Sequence, residues 1–137
     1  MSFDLVGVKC KNRKGEYFRA NIWWWPPLWN YVCEHCKDIL APKQIEDGHY
    51  NSFVFIEEEQ ARIMADRLET LMLEGKIKQH EKEYVFDTLR NSNKGSYKTA
   101  IDIAKALNYP ARAFKFNAEV VKEFIEFAKN SGGFVIG

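Results

Sequence analysis

Trp23-Trp24-Trp25-Pro26-Pro27-Leu28-Trp29 decides how this chain folds. A proline ring fixes φ near the helical value and removes a backbone N–H. It therefore ends a strand and suits the first turn of a helix. Leu28, Tyr31, Val32, Cys36 and Ile39 then recur at spacings of three and four. That spacing predicts a helix running to about Asp38 with this face turned inward. Trp29, Cys33 and Leu40 widen the stripe on one side.

Upstream of the aromatic run, Phe3 to Cys10 is rich in Val and Leu and reads as a strand. Asn12-Arg13-Lys14-Gly15 is turn chemistry, because Gly15 can take a positive φ. Glu16 to Ile22 completes a predicted hairpin. Downstream, Ala41 to Asn51 reads as irregular, with Pro42 and the polar run Glu46-Asp47-Gly48-His49-Tyr50-Asn51. Ala61, Met64, Ala65, Leu68, Leu71 and Met72 predict a helix from about Glu57 to Glu74, closed by Gly75 in a left-handed C-cap. The acidic run Glu57-Glu58-Glu59 falls in its first turn, where the helix dipole favours negative charge.

A short helix is expected over residues 79–90, anchored by Tyr84, Val85 and Leu89. A loop is expected over Asn91–Ser96, and another helix over Thr99–Leu107. The last helix starts at Asn117, a good N-cap residue, and carries Val120, Val121, Phe124, Phe127 and Ala128 on one face. Ser131-Gly132-Gly133 ends it, and Phe134-Val135-Ile136 has strand composition. Strands at both ends with helices between them imply an α+β domain. The expected sheet is small and antiparallel, made of the N-terminal hairpin and the C-terminal strand, and packs against about four or five helices.

The chain has 137 residues, 46% hydrophobic and 28% charged, which suits one globular domain. Lys and Arg number 20 against 19 Asp and Glu. That balance argues against tight binding to duplex DNA, whose ligands carry a basic excess or stripe. Lys9, Lys11, Arg13 and Lys14 form only a small basic cluster at the expected hairpin tip. No apolar stretch follows basic residues at the N-terminus, and no run approaches a membrane span. Three cysteines, an odd number, do not suggest a disulfide framework, so a cytoplasmic setting is expected.

The aromatic run before Pro27-Leu28-Trp29, the segment Gly48-His49-Tyr50-Asn51 and the closing Ser131-Gly132-Gly133-Phe134 resemble a group of small bacterial and phage domains. Pro26 departs from the basic residue of that group. The resemblance implies a fold unit and no activity.

Three functions fit these features. The first is a non-catalytic binding module. Its contact surface would be an aromatic corner of Trp23, Trp24, Trp25 and Trp29, beside the loop of His49, Tyr50 and Asn51. Strand alternation would put Trp23 and Trp25 on one side and Trp24 on the other. The partner would be a protein or a small ligand. The second is an enzymatic or ligand-sensing pocket in which His49 acts as base or donor and Tyr50 and Asn51 hydrogen-bond a ligand. The third is a structural zinc site. Cys33 and Cys36 can meet on one helix face, with Cys10, His35, His49 and His80 as possible further ligands. Two turns into a helix, the CxxC lies beyond the N-terminal dipole that activates redox thiols. It reads first as a pair of small core residues. No GxGxxG, GxxxxGK[ST] or GxSxG pattern occurs. The first function ranks above the others because aromatic rings are concentrated without a catalytic constellation.

Overall fold

The computed structural model describes residues 2–50, 52–93 and 116–137, with the backbone alone for residue 85 and residues 87–93. The chain forms β1 (Ser2–Gly7), β2 (Tyr17–Asn21), α1 (Trp25–Cys36), α2 (Pro42–Asp47), β3 (Val54–Ile56), α3 (Glu58–Leu73), α4 (Lys76–Asn93), α5 (Ala118–Ser131) and β4 (Phe134–Ile136). A 3-10 turn, Arg13–Gly15, joins β1 to β2. The sheet is antiparallel throughout, in the order β2-β1-β4-β3. The α+β class is therefore observed, and the C-terminal strand does join the N-terminal hairpin.

Alternation along the strands puts Phe3, Leu5, Phe18, Ala20, Val54, Ile56, Phe134 and Ile136 on one face, all buried. The helices pack over that face. Trp25 stacks on Trp29 with ring centroids 5.4 Å apart, and Phe3 stacks on Trp25 at 5.7 Å. Phe124 of α5 meets Phe18 edge-on at 5.6 Å and Phe134 at 5.9 Å. Asn117 caps α5 by accepting from the Glu119 and Val120 N–H groups, and Gly132 ends it at φ +67°. Gly75 follows α3 at φ +77°, as the C-cap expectation requires.

Several expectations change. The segment over 41–51 is not irregular: Pro42 sits in the first turn of α2, where its missing N–H costs nothing. Residues 54–56 add a fourth strand that three residues of alternation could not announce. Asn91, Ser92 and Asn93 continue α4 instead of opening a loop, so the helix anticipated over 79–90 runs over Lys76–Asn93. Residues 94–96 and the helix expected over Thr99–Leu107 lie outside the described residues.

Two glycines are required by close packing and not by backbone conformation. Gly48 has φ −64°, and a Cβ there would stand 2.3 Å from the Trp29 indole Nε1. Gly15 lacks a positive φ too; its Cβ would stand 2.0 Å from the Asn130 carbonyl of α5. Both positions need glycine because another group passes where a side chain would be.

Candidate interaction surface

The aromatic run does not alternate as a strand would. Asn21 ends β2 and turns the chain: its side-chain Oδ1 accepts from the Trp23 and Trp24 N–H groups, both at 2.9 Å. Trp23 is exposed, Trp24 is half-buried, and Trp25 already begins α1. Trp25 and Trp29 are fully buried. Buried indole N–H groups need acceptors, and the following loop supplies them. Trp25 Nε1 donates to the Gly48 carbonyl at 2.7 Å, and Trp29 Nε1 donates to the Ile45 carbonyl at 3.0 Å. The tryptophan corner and the Gly48 segment are thus brought together, but through the core. Of the corner only Trp23 is open to a partner, with Trp24 partly so.

His49 is half-buried, and burial holds its imidazole below the ordinary 6.5. Tyr50 is exposed, and Asn51 lies outside the described residues. Three surface depressions, of about 440, 340 and 500 Å³, are lined by other residues than His49 and Tyr50. Cys33 and Cys36 are buried core residues on α1. Burial pushes the Cys33 thiol up to about 12 and the Cys36 thiol up to about 11, away from the thiolate that a nucleophile or metal ligand must be. Cys10 is exposed. Among the described residues, no three His, Cys, Asp or Glu side chains are grouped to hold a metal ion.

The sequence reading missed one exposed apolar feature among the described residues. Tyr17 pairs with Val6, Val6 with Val135, and Val135 with Phe55. These four residues lie in one row across all four strands. They point to the face opposite the core, because each alternates with buried neighbours. Val6, Tyr17 and Phe55 are exposed, and Val135 is half-exposed. Val8 extends the row at one end of the sheet. At the other end Phe53, at φ +52°, lies against Gly137. Gly137 in turn exchanges both backbone hydrogen bonds with Asp4. One polar cluster interrupts this face: the Tyr17 hydroxyl donates to Asp4, and Arg19 lies 4.0 Å from the same carboxylate.

The signal for this row was scattered over four segments, around residues 6, 17, 55 and 135. Only the strand register unites them. Compared with known proteins, the chain matches no family model, no curated protein and no solved structure. Among the described residues, no helix is long and apolar enough to cross a membrane.

Proposed function

We propose that this chain is a non-catalytic interaction module that holds a protein partner on the outer face of its sheet. The observation that carries the proposal is the in-register row Tyr17–Val6–Val135–Phe55 with Phe53 beside it. Tyr17, Phe53 and Phe55 are 51%, 83% and 49% exposed, which on rings of this size is roughly 300–450 Å² of aromatic surface. With Val6 and Val8 added, the patch reaches the size at which exposed apolar surface marks a binding site. Aromatic rings are also the side chains most often found at the energetic centre of protein interfaces. Trp23, exposed where β2 gives way to α1, supplies a further ring.

The test substitutes lysine at Val6 and Phe55 together. Both side chains point away from the core, so the unfolding midpoint should stay within about 3 °C of the parent. Proteins retained by the immobilised parent chain from a lysate of its source should be lost from the variant. Equal retention by a folded variant would remove the outer face as the contact surface.

A further inference from the structure

The two edges of the sheet are finished differently. Val135 of β4 directs its backbone groups to β1, so its partner Phe55 on β3 directs its own outward. That edge is partly capped: Gln44 of α2 donates its side-chain amide to the Phe55 carbonyl at 2.9 Å. Gln44 is held there by Gln60 of α3, whose amide exchanges hydrogen bonds with it at 2.9 Å in both directions.

On β2 no such plug exists among the described residues. Asp4 and Val8 use their N–H groups on the β4 side, and Gly7 donates to Glu16 on the β2 side. Alternation then makes Asp4–Arg19 and Val6–Tyr17 the pairs without mutual hydrogen bonds. Tyr17 and Arg19 therefore turn both N–H and C=O away from β1. The edge stops at each end. The Asn21 carbonyl accepts from Trp24, and Glu16 donates back to Arg13 in the 3-10 turn. Tyr17 and Arg19, two apart, are left with four unpaired backbone groups, and Asn21 keeps its outward N–H. Beside them runs a groove of about 440 Å³, with Phe18 and Phe127 at its base and Glu119, Lys122 and Glu123 of α5 along its wall.

We infer that β2 pairs antiparallel with β2 of a second copy of this chain, about a two-fold axis through Phe18. This goes beyond the outer-face proposal and leaves Val6, Val135, Phe53 and Phe55 of that face free. With Phe18 opposite its own copy, Tyr17 faces Arg19 of the second copy and Arg19 faces Tyr17. All four outward groups of Tyr17 and Arg19 are then satisfied. The side chains agree with the backbone. Each Tyr17 ring lies beside a guanidinium across the seam, a favourable cross-strand pair. Two Asp4 carboxylates balance the two Arg19 charges.

The charges on α5 are self-complementary as well. The two-fold runs α5 antiparallel past its copy. Lys122, which has no ion-pair partner among the described residues, then comes among the carboxylates of Glu123 and Glu126 of the other copy. Because the two-fold uses β2 of both copies and Gln44 takes the Phe55 carbonyl on the far edge, assembly stops at a closed pair.

Sedimentation velocity of the full chain across a concentration series tests this. The parent should sediment as a dimer. Arg19→Pro removes an N–H that points away from β1, so the hairpin keeps its own ladder. Each dimer loses two of its four backbone bonds, and the dimer dissociation constant should rise about 30-fold or more. Near-ultraviolet circular dichroism reports whether the buried tryptophans stay packed. Arg19→Glu gives a second variant with the ladder intact; it removes the Tyr17–guanidinium pairs and gathers four carboxylates, two Glu and two Asp4, at the seam with no cation to balance them, so it should also yield monomer. Val6→Lys with Phe55→Lys should leave the dimer unchanged, which separates this inference from the outer-face proposal. A parent that stays monomeric at hundreds of micromolar overturns the inference. So does a dimer that survives both Arg19 variants, or one that the outer-face variant dissociates. Capture of an extended peptide by a monomeric parent would assign the same edge to a different occupant and overturn it too.

Discussion

The inner face of the sheet carries Phe3, Leu5, Phe18, Phe134, Ile136 and Ile56, all buried beneath the helices. The outer face of the same strands carries Val6, Tyr17, Val135 and Phe55, which remain exposed or half-exposed. The two sets do not differ in chemistry, and β-branched and aromatic residues dominate both. They differ in what the connections place over them, since α1, α3 and α5 all pack on one side. Apolar composition alone therefore does not mark a core residue. The informative observation is a large apolar surface left open. The tryptophan run repeats this contrast within seven residues, from exposed Trp23 to sealed Trp25 and Trp29.

The hardest blow to this contrast falls on the buried side. Trp25→Ala removes a fully buried ring that stacks on Phe3 and Trp29 and donates to Gly48. It should cost about 3–5 kcal/mol, read as a large drop in chemical-denaturation midpoint. Gly48→Ala comes next. Its Cβ would strike the Trp29 indole, so overpacking should cost about 1–3 kcal/mol without any change in backbone preference. Trp23→Ala, on the exposed side, should cost far less stability than Trp25→Ala while weakening partner retention. If Trp23→Ala unfolded the chain as Trp25→Ala does, the distinction between the two rings would fail.

Two chemical probes sharpen the contrast with smaller effects. A thiol reagent under native conditions should modify Cys10 quickly and Cys33 and Cys36 only on unfolding. Because burial raises both core thiols above 9.0, the folded state disfavours their thiolates. Their contribution to stability is complete below pH 9 and is lost as pH rises from about 9 toward 12. The smallest effect belongs to His49, whose imidazole is held below 6.5. Its neutral form contributes stability above pH 6.5, and that contribution is lost as pH falls below this value. His49→Gln should flatten the acid limb of a pH–stability curve. An unchanged limb would show that other groups set it.

Much of the fold was legible because its elements carry strong local signals. Pro26 and Pro27 mark the start of α1, Asn117 caps α5, and Gly132 closes it. Long stripes such as Ala61–Leu68 on α3 have enough repeats to fix a period. Elements with few repeats were missed. β3 spans three residues and α2 spans six, so neither repeats its period often enough to be distinguished. The open apolar row was the least legible part. The rings that stand out in sequence, Trp25 and Trp29, are local neighbours whose indole N–H groups are answered inside the core. The residues that form the open row are 11 to more than 100 positions apart, and only strand register brings them together.

The central claim is that the outer face binds a protein, and side-chain footprinting tests it most directly. A photogenerated carbene should label Val6, Tyr17, Phe53 and Phe55 heavily in the isolated chain and leave Trp25 and Trp29 unlabelled. In a lysate of the source, labelling of the outer row should fall several-fold while exposed residues away from it, such as Leu73, keep theirs. Outer-row labelling that is the same in lysate as in isolation would contradict the claim.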